Sequence, residues 1–363
     1  MSPRRLALVL HTHMPYVEGF GTWPFGEEWL WEAMATCYLP LLDVLDEHPG
    51  AVTVSLTPVL ADQFAAPGVP ERFLAFLRDL REESHRLDLE AHPDVTPQLE
   101  RSRERSRRAA AGFERRGHDL VAAFAPHAAW TSAATHAVLP LLATDAGVRL
   151  QVGTGVAAHR ARFGGWGGGF WLPECAHGPW LDPLLEEAGV AVTCVELTDV
   201  GPSALDPRRP LRSAAGPVLA PLDRELIARV WGRDGYPSGG AYLDTHAHTT
   251  RRHLAWSVDG RPHDPRRAGA QARADAADFV ARVPAGGTTV CALDTELLGH
   301  WWVEGVDWLA AVIEESERGG LELVALDEAY AATAVPAPAL PVTTLGRPCT
   351  LATWSGPRAR GLA

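Results

Sequence analysis

The 363-residue chain has no lysine and no asparagine; all 33 of its basic residues are arginine. Without a lysine amine there is no Schiff base, no pyridoxal-phosphate attachment and no Walker-type phosphate loop. Cysteine is sparse: Cys37, Cys175, Cys194, Cys291 and Cys349 are scattered, odd in number and never in a CxxC spacing. That pattern supplies neither a disulfide framework nor a zinc ribbon, so the thiols are expected to be reduced and buried. Long apolar runs are missing too, and none approaches the roughly 20 residues that span a bilayer. The N-terminal MSPRRLALVLHTHMPY holds only five consecutive apolar residues before His11, with no small-residue cleavage site, and is read as a first strand rather than a secretion signal. Positive charge is in deficit: a net charge of −12 argues against nucleic acid and anionic membrane as partners. A cytoplasmic protein acting on a neutral, soluble partner is expected, with no cofactor and no metal.

Short apolar or β-branched runs alternate with longer helical patterns, the signature of a parallel sheet built from βα units. Candidate strands are Leu6 to Leu10, Ala51 to Leu56, Ala128 to Thr131, Gly169 to Leu172, Ala191 to Leu197, Val218 to Leu222, Thr289 to Leu293 and Leu321 to Ala325, a barrel count. Between them, Glu71 to Arg86 and Gln98 to Phe124 carry helical spacing, and the run RSRERSRR is read as a solvated helix face. Two Gly- and Pro-rich stretches, Asp199 to Gly216 and Gly232 to Arg267, are expected to be long functional loops. The histidines of THAHTTRRH in the second have no Cys or carboxylate cluster beside them and are read as loop residues, not metal ligands.

The chemistry-bearing residues gather where strands end. In ALDTELLGHWWVEGVDWL, an apolar run leads into Asp294 and Glu296, followed by His300 and by Trp301, Trp302 and Trp308. Two acids beside flat indole faces are what a sugar site is made of. In LALVLHTHMPYV, His11 and His13 lie two apart and face one side of a strand. TSAATH places His136 after another strand, and GFWLPECAHGPWL places Trp171 and Glu174 after a third. Parallel barrels build their active sites at this C-terminal face from several strands. Glu174 and one of Asp294 or Glu296 then form the carboxylate pair that glycosidic chemistry needs; the residues alone do not rank the two. Cys175 with His177 makes a poor thiol nucleophile, since neighbours on a strand diverge.

HTHMP, TSAATH, FWLPECAHGPWL and ALDTELLGHWW, in this order, resemble the characteristic regions of glycoside hydrolase family 57. Within it GEEWLWEA, WLPEC and LDTELLGHWWVEG are most similar to the 1,4-α-glucan branching enzymes. The resemblance covers roughly Leu6 to Trp354, and several motifs in register are far more specific than one. It implies an α/β fold, an incomplete TIM-like (β/α)7 barrel with inserted helices and loops. It divides the chain into a catalytic barrel over 1–334, with a helical insertion at about 68–126 and a loop region at about 199–267, and a proline-rich segment over 335–363. It also implies a retaining mechanism on α-glucan, with Glu174 as nucleophile and Asp294 as acid/base. His11, His13, Trp29, His136, Trp171 and Trp302 are implied in the substrate site, Tyr236 of VWGRDGYP as the closing residue of a mobile loop, and Trp354 as a stacking platform.

Two departures bear on transfer rather than on the acids. Branching enzymes of the family continue into a helical C-terminal domain, whereas this sequence ends at Ala363, and Leu345 stands where the final motif carries its first tryptophan. A family 57 hydrolase or 4-α-glucanotransferase is therefore the alternative enzyme. Alternatives of other classes are a metal-dependent carbohydrate deacetylase, with His11, His13 and His136 as ligands, and a non-catalytic glycan-binding protein.

Overall fold

The computed structural model of the protein describes residues 3–21, 26–198, 200, 205–214 and 216–356. The expected loop Asp199 to Gly216 is therefore only partly covered, and residues 357–363 of the C-terminal segment lie outside the described residues.

The apolar runs form strands β1 (Arg4–Thr12), β2 (Thr53–Leu56), β3 (Ala128–Ser132), β4 (Gly169–Trp171) and β5 (Val192–Val195), joined by β6 (Leu211–Arg212), β7 (Val218–Pro221), β8 (Thr289–Asp294), β9 (Leu321–Leu323) and β10 (Val335–Pro336). One curled sheet runs in the order β10-β6-β7-β5-β4-β3-β2-β1-β8, with β9 beside the start of β1. From β7 to β8 along this order, seven strands pair parallel, and only β6 pairs antiparallel, with β7. The seven make an incomplete TIM-like barrel. Across the gap, the Asp223 N–H just after β7 donates to the Val290 carbonyl of β8 at 2.8 Å.

Burial on both faces explains why these strands read as continuous apolar runs rather than as alternating ones. Leu6, Ala7, Leu8, Val9 and Leu10 of β1 are all at most 1% exposed. Each of the eight expected strands is present; the two-residue β6 and β10 add to them. The insertion between β2 and β3 is helical, with Val69–Ala75 and Glu82–Ala91 running into each other through a π turn at Phe76–Arg81, and a return helix at Thr96–Arg115. RSRERSRR lies on that return helix and is tied down, not simply solvated: Arg103 and Arg107 both pair with Glu82, and Arg101 donates to the His263 carbonyl at 2.8 Å.

The loop from Gly232, expected to reach Arg267, ends at Asp264, the N-cap of the helix Pro265–Arg282, and rests on this helical layer. His253 is fully buried, its ring stacked 3.6 Å from His85 and bonded to Arg81 and Ser84, so that histidine has a packing role. His263 meets the buried Glu304 carboxylate at 2.9 Å. All five cysteines are buried. Among the described residues no helix is long and apolar enough to cross a membrane.

Candidate active site

The C-terminal ends of the parallel strands open into a cavity of about 750 Å³. His11, His13, Trp29, His136, Trp171, Glu174, Asp294 and Trp354 all line it, as does Glu296. Strand register explains the convergence: His11 on β1 lies level with Asp294 on β8 and with Ser55 on β2, while Trp171 on β4 lies level with Ser132 on β3.

Asp294 is the last residue of β8, and Thr295–Leu297 turn at once into a 3-10 helix. Glu296 thus reaches the cavity through that turn and not by strand alternation. Its Oε1 accepts from the Tyr38 hydroxyl at 2.6 Å and from the His13 N–H at 3.1 Å. The turn closes on itself where the Trp301 N–H donates to Glu296 O and Trp302 N–H to Leu297 O. Gly299 inside it has φ +99°, and a Cβ there would sit 2.0 Å from the Thr36 carbonyl oxygen, so the glycine of ELLGHWW is a steric requirement.

Glu174 follows β4 by three residues and adopts φ 58°, ψ 21°, with Cys175 next at φ 48°. Two successive left-handed, non-glycine residues are costly and mark a turn held by its surroundings. Cys175 donates its thiol to the Cys194 carbonyl and burial pushes its pKa well up, while His177 pairs with Asp182 at 2.7 Å; these two residues do not form a nucleophile pair.

Burial raises all three acids. Glu174 is pushed up to about 7, with the negative charge of Asp294 as the second cause. Asp294 rises to about 6, partly offset by a hydrogen bond from the Trp231 indole, which favours its ionised form. Glu296 rises to about 8 through burial, with its bond from Tyr38 opposing the shift. Beside the acids, His13 and His136 stack with ring centroids 3.8 Å apart, and His11 stacks on Trp171 at 4.8 Å. Burial lowers His13 to about 3, His136 to about 4 and His11 well below the usual value, so all three are neutral at pH 7. Among the described residues no three His, Cys, Asp or Glu side chains are grouped to hold a metal ion.

Two expected site residues lie elsewhere. Trp302 is 1% exposed and packs edge-on to Tyr242, 5.2 Å away, and against Trp308; its neighbour Trp301, half exposed, lines the cavity in its place. Tyr236 donates to Asp278 at 2.8 Å and faces Trp308, and is not among the cavity residues. From the same VWGRDGYP phrase it is Trp231, 46% exposed, that reaches the acids. Arg224, at the start of the helix Arg224–Trp231, also lines the cavity. No sequence signal separates Trp301 from Trp302, or marks Trp231; only the packing does. The segment beyond Val335 belongs to the site as well: Leu345, Gly346, Arg347 and Trp354 form one wall, with Leu345 where the family's tryptophan is expected.

The fold is shared with known proteins. The chain is 28% identical to a GH57-type branching enzyme from Pyrococcus horikoshii, with a TM-score of 0.91 over 99% of this chain and 76% of that one. A 1,4-alpha-glucan branching enzyme of Thermococcus kodakarensis is 29% identical over 87% of this chain, which spans only 56% of that relative's length. A probable 1,4-alpha-glucan branching enzyme of Mycobacterium tuberculosis is 30% identical, over 99% of this chain and 77% of its own. Residues 129–342, which run from β3 through β10, match the sequence pattern of glycosyl hydrolase family 57. The chain belongs to glycosyl hydrolase family 57.

Proposed function

We propose that the chain is an α-glucan-active transferase of the branching type, working by a retaining mechanism. One observation carries this reading: two half-buried carboxyls, Glu174 after β4 and Asp294 at the end of β8, share one cavity walled by Trp29, Trp171, Trp231, Trp301 and Trp354. Indole faces receive pyranose rings, and the two acids divide the work. Asp294 protonates the leaving glycosidic oxygen as Glu174 attacks the anomeric carbon, which calls for carboxyls about 5 to 5.5 Å apart when substrate is bound. The 6-hydroxyl of a second glucan chain then takes the sugar from Glu174 while Asp294 removes its proton. Neutral His11, His13 and His136 offer hydrogen bonds to sugar hydroxyls without competing for that proton.

In the protein by itself the proton rests more firmly on Glu174, at about 7, than on Asp294, at about 6. Substrate reverses the order: a glycosidic oxygen at Asp294 displaces the indole N–H, and sugar hydroxyls donating to Glu174 favour its carboxylate. Residues 1–334 form the catalytic barrel in this reading, and the segment from 335 completes its wall. The buried thiols of Cys37, Cys175, Cys194 and Cys291 suit a cytoplasmic location.

Linkage analysis of amylose incubated with the protein tests the proposal. New α-1,6 branches are expected, and Glu174→Gln or Asp294→Asn should abolish them. Free reducing ends or redistributed linear chains would instead mark a hydrolase or a 4-α-glucanotransferase, readings favoured by aliphatic Leu345 in the wall. Amylose binding with no turnover would mark a glycan-binding protein.

A further inference from the structure

The Glu174 turn is held from the far end of the chain. The Thr343 carbonyl accepts from the His177 N–H at 2.8 Å and the Thr343 N–H donates back to His177 at 2.9 Å, laying residues 343–345 along the turn. Two donors then converge on the Glu174 carbonyl, the Leu345 N–H at 3.0 Å and the Thr344 hydroxyl at 2.9 Å. That hydroxyl is itself an acceptor: the Trp354 indole N–H donates to it at 3.1 Å. Thr344 is fully buried, whereas Trp354 lines the cavity. Behind them the Arg224 guanidinium donates to the Leu345 carbonyl at 2.7 Å.

A left-handed φ at a residue with a side chain persists only where its neighbours impose it. Fixing the Glu174 carbonyl fixes the peptide plane after it, and with it the direction in which Cα presents the carboxylate. We infer that Thr344 is a positioning residue for Glu174, and that Trp354 acts through it, so that the wall residue against which sugar packs also sets the aim of the attacking group. The inference rests on the reading of Glu174 as nucleophile. It makes Trp354 more than a stacking surface: its N–H matters as well as its ring.

The test compares Thr344→Val, which keeps the shape and loses the hydroxyl, with Thr344→Ser, which keeps the hydroxyl, and with Trp354→Phe, which keeps a ring and loses the N–H. On amylose, Thr344→Val should lower kcat per folded molecule by about tenfold or more, because small misplacements at the reacting centre are expensive. KM should stay within about twofold, and Thr344→Ser should recover most of the rate, since the altered group does not bind sugar. Trp354→Phe should lower kcat with KM held. Wild-type kcat in Thr344→Val, or in Trp354→Phe where the valine variant does not fold, overturns the inference. If the unmodified protein turns over no α-glucan, the functional reading fails, and a crystal structure of Thr344→Val still decides the positioning claim: Glu174 retaining φ near 58° would overturn it, and relaxation to negative φ would support it.

Discussion

The Nε2 atoms of His11 and His136 face each other at 2.9 Å, so one ring carries its proton there and the other does not. A second proton would put two cations in contact within a buried stack. The folded-state pKa of His136 is lowered to about 4, below the ordinary 6.5, so its contribution to stability is present above pH 6.5 and is lost as pH falls toward 4. His136→Asn should therefore shrink the drop in urea midpoint between pH 7 and pH 4.5, by an amount corresponding to about 2 kcal/mol or less. An equal drop in both proteins would refute the neutral stack.

Glu296 gives the opposite slope. Its folded pKa is raised to about 8 from 4.5, so its contribution is complete below 4.5 and lost as pH rises through 8. Glu296→Gln, which mimics the protonated acid, should remove part of the stability lost between pH 5 and pH 8.5, on the order of 1 kcal/mol for each tenfold difference in proton affinity between the folded and unfolded chain. Denaturant titrations of the two proteins at those pH values provide the comparison.

The hydrogen bond from Trp231 lowers the Asp294 pKa. Trp231→Phe keeps a ring and removes that donor, so Asp294 should hold its proton to higher pH. Carboxyl NMR titration of the protein without substrate should place the Asp294 pKa higher in Trp231→Phe, by about half a pH unit to one pH unit for a hydrogen bond worth about 1 kcal/mol. An unmoved pKa would mean that the indole N–H does not favour the Asp294 carboxylate.

Adjacent tryptophans should behave as different kinds of residue. Trp301→Ala, half exposed in the cavity, should raise KM for amylose about threefold to tenfold with little change in unfolding midpoint. Trp302→Ala, 1% exposed, should cost about 3–5 kcal/mol of stability. Thermal unfolding and steady-state kinetics on both variants separate the two effects.

The strands are legible because parallel strands buried on two faces leave an unbroken apolar run, as Leu6 to Leu10 does, and Asp294 and Glu174 are legible because each follows such a run. β6 and β10 are not, since two residues carry no periodicity. Trp302 passes for a site residue because consecutive tryptophans look alike in composition; which one faces the cavity depends on a turn closed by Glu296 and Leu297 carbonyls. Tyr236 misleads for a related reason. Its partner, Asp278, lies 42 positions away on another helix, and nothing local announces the pairing.

Thr344 and Glu174 are 170 positions apart, and such distant pairings form late. A ribosome has released nearly the whole barrel before the last donors to Glu174 emerge. Sheet and cavity can then exist for a time in a nascent chain whose Glu174 carbonyl has neither of its two donors, since both come from residues 344 and 345. Loss of those few late residues would leave the Glu174 carbonyl without either donor while most of the barrel stands.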